Sequence, residues 1–207
     1  MKTKDKIKKT SRELFNSKGF RNVTLREVAK ELSISYGNVT YHFKTKNELI
    51  LCLYEDMLLE TKEIIGTFDH NNLLIGILDA PKISFEISMK YLFLYVDFIE
   101  IKRSYSDLSL RLEQDNISRK KGYLLILKQL KIQGLLRDEL TDNDLDYLMD
   151  LSGAMRTFFF MNLNPNDFFN QGLKKRYVDY VNNLIFPYLT TNGMKIYKSY
   201  LEKSLLK

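Results

Sequence analysis

The chain has 207 residues, 44% hydrophobic and 28% charged, which excludes a disordered or fibrous polymer and leaves enough length to bury a substantial core. Three prolines, nine glycines and little β-branched alternation point to an almost entirely helical protein; a lone cysteine, Cys52, excludes an internal disulfide and fits a reducing compartment. The net charge of +6 is unevenly placed. Residues 1–50 hold 12 Lys/Arg against five Asp/Glu, and residues 51–207 hold 20 against 21. A basic segment on a near-neutral remainder is the electrostatic footprint of a polyanion-binding module.

In chain order, Lys4 to Lys18 is predicted as the first helix, with Ile7, Leu14 and Phe15 on one stripe and Gly19 ending it as a left-handed cap. This N-terminal stretch is basic and amphipathic and lacks the apolar core of a signal peptide. The most apolar run, Tyr91 to Val96, is too short to span a bilayer, so a cytoplasmic protein without membrane contact is expected. Phe20 and Val23 are expected beneath the unit that follows.

The stretch TLREVAKELSISYGNVTYHFKTK, Thr24 to Lys46, organises the rest. Thr24 with Glu27 makes a capping box, in which a hydroxyl and a carboxylate three residues apart satisfy the free N–H groups that open a helix. Val28, Ala29 and Leu32 give that helix a buried face. The sequence SIS then breaks the pattern, Ile34 plugs the elbow, and Ser35 caps a further helix over Tyr36 to Phe43. Two short helices joined by so few residues make a helix-turn-helix. Thr45 with Glu48 opens a fourth helix at Lys46, whose apolar positions run to Ile64 and Gly66.

A recognition helix enters the DNA major groove with its first residues against base edges. Tyr36, Gly37, Asn38 and Thr40 are the candidates, with Ser35 at the cap. Gly37 costs a short helix about 1 kcal/mol against alanine, and close approach to a base supplies a reason for it. Tyr41, His42, Lys44 and Lys46 lie at the far end, where they can reach phosphates. Thr24 and Arg26, at the start of the second helix, are expected to do the same beside its N-terminal dipole. Phe43 is assigned to the core.

Beyond the fourth helix, Phe68 to Ala80 reads as a loop or short helix, with His70 at the surface. Pro81 suits a helix start, and an apolar helix is expected from there to Arg103. Asp107 to Gln133 follows as one helix or two, with a possible break at Asn116 and an end at Gly134. Thr141 with Asp144 caps the next, Asp142 to about Asn162, closed by Asn164–Pro165. Asp167 to Leu189 and Met194 to Leu206 complete the chain.

The segment LFNSKGFRNVTLREVAKELSISYGNVTYHFKTKNELI resembles the DNA-binding domain of the TetR family of bacterial transcriptional regulators. The resemblance covers roughly residues 7–52 and rests on Phe15, Gly19, Thr24, the Ile34–Ser35 elbow, Gly37, Tyr41-His42-Phe43 and Lys46. It implies an all-α protein with a three-helix helix-turn-helix head at residues 1–46 and a larger helical ligand-binding and dimerisation body at 47–207. It also implies phosphate contacts from Tyr41, His42 and Lys46, with Tyr36 and Gly37 nearest the bases. Thr40 stands where many members carry a bulkier leucine or tyrosine. The family implies a homodimer through the last two long helices, here Asp142–Asn162 (Leu145, Leu148, Met149, Met155, Phe158, Phe159) and Asp167–Leu189 (Phe168, Val178, Val181, Leu184, Ile185). Two-fold symmetry would then demand a near-palindromic operator in double-stranded DNA.

The switch such a body implies is a small hydrophobic molecule that releases the operator. Tyr91, Tyr95, Phe98, Tyr123, Phe158 and Phe159 are the candidate lining residues, with Asp97 or Glu100 as polar anchors. Asp97 could pair a cationic ligand, and Lys102 or Arg103 could equally neutralise it; these aromatics also suit an ordinary core. Three function classes compete: a ligand-responsive repressor, a DNA-binding structural or adaptor protein of the same fold without an effector, and an enzyme. Against the enzyme stand the lack of a Ser/His/Asp or Cys/His set, of metal-spaced ligands and of a Gly-rich phosphate loop. No cofactor or metal is expected.

Overall fold

The computed structural model describes residues 2–65, 72–163 and 172–205. Among them are eleven α-helices and no strand beyond one isolated antiparallel bridge between Leu136 and Leu189. The chain divides into two compact units, Met1–Glu63 with Ile87–Leu112, and Ile64–Glu86 with Glu113–Lys207. The boundary expected at 46/47 therefore falls inside the first unit.

The first unit begins with α1 (Thr3–Lys18), ended by Gly19 at φ +78°, and a 3₁₀ turn over Phe20–Asn22. Then come α2 (Leu25–Glu31), α3 (Tyr36–His42) and α4 (Lys46–Ile65). Local chemistry sets these ends. The Thr24–Glu27 capping box is complete, and the Ser35 hydroxyl accepts from the Asn38 N–H at 3.1 Å. Between α2 and α3 the Ile34 N–H bonds back to the Ala29 carbonyl and the Ser33 N–H to that of Lys30. This is a Schellman turn, and it places Ser33 at φ +53°, where glycine is the commoner residue. At α4 the Glu48 N–H bonds to Thr45 Oγ1, but the Glu48 carboxylate accepts from the Lys44 N–H, one residue earlier than a capping box would have it.

Ile7, Phe15, Phe20, Val23, Val28, Val39, Phe43, Leu49, Ile50 and Leu53 are buried together in this unit, with Phe15 and Phe93 rings 5.1 Å apart. The continuous helix expected from Pro81 to Arg103 is not found. Instead α5 runs Leu73–Lys90, α6 Phe93–Val96 and α7 Phe98–Ser104. The break at Tyr91–Leu92 is bridged from α1: Asn16 Nδ2 donates to the Lys90 carbonyl and Asn16 Oδ1 accepts the Phe93 N–H, both at 3.0 Å. One amide side chain thus satisfies a carbonyl and an N–H at the break.

Pro81 is inside α5 rather than at its start. A mid-helix proline costs about 3 kcal/mol or more, but Leu74 and Leu78 upstream of it are fully buried, each worth roughly 1.5–3 kcal/mol, so the helix continues. Asn72 caps it, accepting from the Ile75 N–H. The Leu78 carbonyl, one turn before the proline, receives Asn182 Nδ2 at 3.0 Å and the Tyr200 hydroxyl at 2.9 Å.

The second unit holds a leucine core, Leu74, Leu78, Leu127, Leu130, Leu136, Leu140, Leu145 and Leu148 with Ile185, Leu189, Tyr197 and Tyr200. One unbroken helix, α8 (Ser106–Ile132), crosses Asn116 and ends at Gly134, φ +66°. The Thr141–Asp144 capping box opens α9 (Asp142–Met161). Next are α10 (Leu173–Asn183), a 3₁₀ turn at Phe186–Tyr188 carrying Pro187, and α11 (Thr191–Leu205). The expectations for Gly66, His70, Asn164–Pro165, the start of a helix at Asp167, Phe168 and Leu206 fall outside the described residues.

Candidate nucleic-acid interface

The recognition helix is two-sided because its sequence is. Val39 and Phe43 are buried, whereas Ser35, Tyr36, Gly37 and Asn38 form an unbroken exposed row, continued by Tyr41, which is 83% exposed. Its caps fix this row relative to α2. Gly37 is open: a Cβ built there would meet only Ser35 Oγ, at 3.9 Å. Nothing inside the chain demands glycine at this position. Thr40 is half-buried and its hydroxyl donates to the Tyr36 and Gly37 carbonyls, 3.2 Å each, which leaves its methyl and acceptor capacity on the helix surface. Arg26 lies over the Tyr36 ring at 5.0 Å, so one guanidinium and one aromatic from the two helices are stacked before any partner arrives. Tyr41 and His42 rings meet edge to face at 5.1 Å. Lys44 is exposed beside them.

Two expected contacts sit differently. Lys46 is half-buried: its ammonium donates to the Phe20 carbonyl and lies 3.9 Å from the Phe20 ring centroid. Burial pushes it below the ordinary lysine range, against the pull of Asp97 and Glu27. The ring face and the carbonyl attract this cation into the chain rather than out to a phosphate. At the start of α2, the Glu27 carboxylate accepts from both the Thr24 N–H, at 2.6 Å, and the Thr24 hydroxyl. Those two bonds hold the carboxyl below its usual range. A negative charge therefore already occupies the helix end where a phosphate was expected beside Thr24.

The residues proposed for a ligand site are divided between the two units. Tyr91, Tyr95, Asp97 and Phe98 belong to the first unit, and Tyr123, Phe158 and Phe159 to the second. Tyr91 is buried with its hydroxyl on Glu60 at 2.9 Å, and the Tyr95 hydroxyl takes Ser88 Oγ at 2.9 Å. Asp97 is not a free anchor: Oδ2 accepts the Phe20 N–H at 2.9 Å, and Glu100 is paired with Arg21. Phe98 is half-buried under Lys102. Phe159 is buried against Tyr177, Phe160 and Tyr180, whereas its neighbour Phe158 is 65% exposed. The dimer set divides likewise: Leu145, Leu148 and Ile185 belong to the protomer's own core.

Sequence reasoning missed the bonds from Asn16 and Asp97, which have no local signature. It also missed an exposed apolar stripe on α9, Tyr147, Leu151, Ala154, Phe158 and Met161, although the alternating four- and three-residue spacing was readable. Among the described residues no helix is long and apolar enough to cross a membrane, and no group of three or more His, Cys, Asp or Glu is placed to hold a metal ion.

A capped, two-sided second helix behind a Schellman turn, in a basic segment, defines a helix-turn-helix DNA-binding regulator. Residues 7–53 match the family model of bacterial regulatory proteins, tetR family, and residues 76–197, more than half of the chain, match that of a bacterial transcriptional repressor. The chain belongs to the TetR family of bacterial transcriptional regulators, whose members are DNA-binding regulators rather than enzymes, bind operator DNA and function as dimers.

The HTH-type transcriptional regulator QacR of Staphylococcus aureus is 45% identical over 51 residues, 25% of this chain and 27% of that protein. The biofilm operon icaADBC HTH-type negative transcriptional regulator IcaR of S. aureus is 29% identical over 102 residues, 49% of each. The chain thus spans about half the length, or less, of the curated relatives it matches. A TetR-family transcriptional regulator from Marinobacter aquaeolei VT8 shares the fold at a TM-score of 0.80 and 22% identity, over 97% of this chain and 99% of that one.

Proposed function

We propose that the chain is a cytoplasmic repressor that binds a near-palindromic operator as a homodimer through residues 1–46. In this reading a small hydrophobic ligand, held within residues 47–207, releases it. The observation that carries the DNA-binding part is the division of α3, with Val39 and Phe43 buried and Ser35 to Asn38 and Tyr41 exposed. Tyr36, Gly37, Asn38 and Thr40 face base edges; Arg26, Tyr41, His42 and Lys44 face phosphates, with Thr24 and Ser35 at the helix starts. Lys46 joins the phosphate set only by leaving the Phe20 ring. Repression is supported by the resemblance to a negative regulator. The α9 stripe supports dimerisation, since an exposed seam with coiled-coil spacing is self-complementary across a two-fold axis.

Release requires the ligand to favour the DNA-incompetent state. Carrying an equilibrium from 1:99 to 99:1 takes about 5.5 kcal/mol of differential binding. Operator selection from a randomised duplex pool tests the base assignment: Asn38→Ala and Tyr36→Ala are expected to return altered motifs. Recovery of the wild-type motif by both variants would refute it.

A further inference from the structure

We propose that the effector is an organic carboxylate with an apolar or aromatic body, and that Arg156 receives its carboxylate. This rests on the reading that residues 47–207 hold a small ligand, and names that ligand's chemistry. The acidic groups first considered as anchors for a cation are engaged, Asp97 by the Phe20 N–H and Glu100 by Arg21. Arg156, on α9 in the second unit, has the opposite character. It is half-buried, and its Nε donates to Ser152 Oγ at 3.2 Å while Nη1 donates to Ser84 Oγ at 3.1 Å. Among the described residues no carboxylate pairs with it; in the same unit Glu86 is held by Lys174 and Asp179 by Lys175, each at 2.6 Å.

A guanidinium carries five N–H donors in a fixed fork that matches a carboxylate bidentately. The two neutral hydroxyls leave most of that fork unused, and among the described residues no carboxylate compensates its charge. Ser84 in turn links Arg156 to an apolar wall. Its Oγ donates to the Pro81 carbonyl at 3.1 Å and lies 2.9 Å from the Tyr177 hydroxyl. The Tyr177 ring packs on Phe85, Phe159 and Phe160 with centroids 5.6, 5.0 and 5.0 Å away. A second guanidinium, Arg176, lies 5.5 Å over Phe159. A guanidinium with no carboxylate partner among the described residues, hydroxyls beside it and four rings behind them suit a molecule with one anionic end and an apolar remainder. Arg176 is exposed, so Arg156 is the half-buried guanidinium at this wall, and one such group matches a monoanion better than a dianionic phosphate, which would call for further desolvated cations.

The test is calorimetric titration of the full chain with three probes of one shape: 4-phenylbutyrate, 4-phenylbutanamide and 4-phenylbutylammonium. The carboxylate is expected to bind at least about tenfold tighter than the amide, about 1.4 kcal/mol, with the ammonium weakest. Arg156→Gln should erase that preference. Arg156→Lys keeps charge without the fork and should reduce the preference several-fold; it carries the decision if thermal unfolding shows Arg156→Gln to be misfolded. An amide that binds as well as the carboxylate, or a preference that survives in Arg156→Gln or is undiminished in Arg156→Lys, overturns the carboxylate assignment and leaves the ligand-holding body standing. Failure of all three probes to bind overturns both.

Discussion

Gly37→Ala separates what the fold needs from what the DNA needs. The new methyl would meet only Ser35 Oγ, at 3.9 Å, an ordinary van der Waals distance, and Gly37 is not among the glycines with positive φ, which among the described residues are Gly19 and Gly134. Alanine in place of a helical glycine gains roughly 0.5–1 kcal/mol. Near the start of a seven-residue helix the low end applies, about 0.5 kcal/mol, or a rise in Tm of about 1–2 °C for a chain of this size. If Gly37 lies against a base edge, as proposed, the same methyl has no room there, and overpacking costs about 1–3 kcal/mol, an expected loss of roughly five- to 150-fold in operator affinity. Thermal unfolding and fluorescence anisotropy with the selected operator, on one preparation, read both signs. A fall in Tm would show that the fold demands glycine after all. Unchanged affinity would remove close approach as its reason.

Three other perturbations address the remaining links. Tyr41→Ala and Lys44→Ala should weaken binding to all sequences alike, and if a variant removes one phosphate contact it lowers the slope of log K against log salt by about one; anisotropy titrations whose slopes match wild type would remove these residues from the phosphate set. Phe158→Asp removes an exposed ring from both copies of a two-fold seam, and at roughly 1.5–3 kcal/mol per buried ring the dimer dissociation constant should rise about 10²- to 10⁴-fold. Sedimentation velocity showing an intact dimer at concentrations where this predicts monomer would move the interface off the α9 stripe. Glu27 gives a pH prediction: the Thr24 N–H and hydroxyl hold its carboxyl below the ordinary 4.5. Its contribution is therefore complete above that value and lost as the pH falls through the lower folded-state value. Thermal unfolding from pH 6 downward should show a shallower acid decline in Glu27→Gln, and parallel declines would refute the assignment.

What was legible in the chain was local. The boxes at Thr24–Glu27 and Thr141–Asp144, the Ser35 cap and the ends at Gly19 and Gly134 each depend on residues within one turn of one another, and all are present in the fold. The recognition helix was readable for the same reason, since its buried and exposed residues alternate within eight positions. Pro81 misled because a proline is judged by its own turn. Here the burial of Leu74 and Leu78 outweighs that local cost, a balance visible only once the second unit's leucine core is assembled.

The break at Tyr91–Leu92 shows the other limit. The run from Phe85 to Ile101 is apolar on nearly every side, and nothing within it stops a helix. The amide that takes the Lys90 carbonyl and the Phe93 N–H lies 74 residues before the one and 77 before the other, and the carboxylate of Asp97, the residue before α7, accepts the Phe20 N–H from 77 residues away. Each of these bonds satisfies a backbone group that would otherwise cost about 1–3 kcal/mol if buried alone. The interruption and its partners on α1 and the following turn are one feature, and neither half announces it. The same logic redirects the search for the effector. Asp97 and Glu100 look like ligand anchors only while their partners are unknown, and Arg156 looks like an ordinary surface arginine only until its neighbours prove to be hydroxyls.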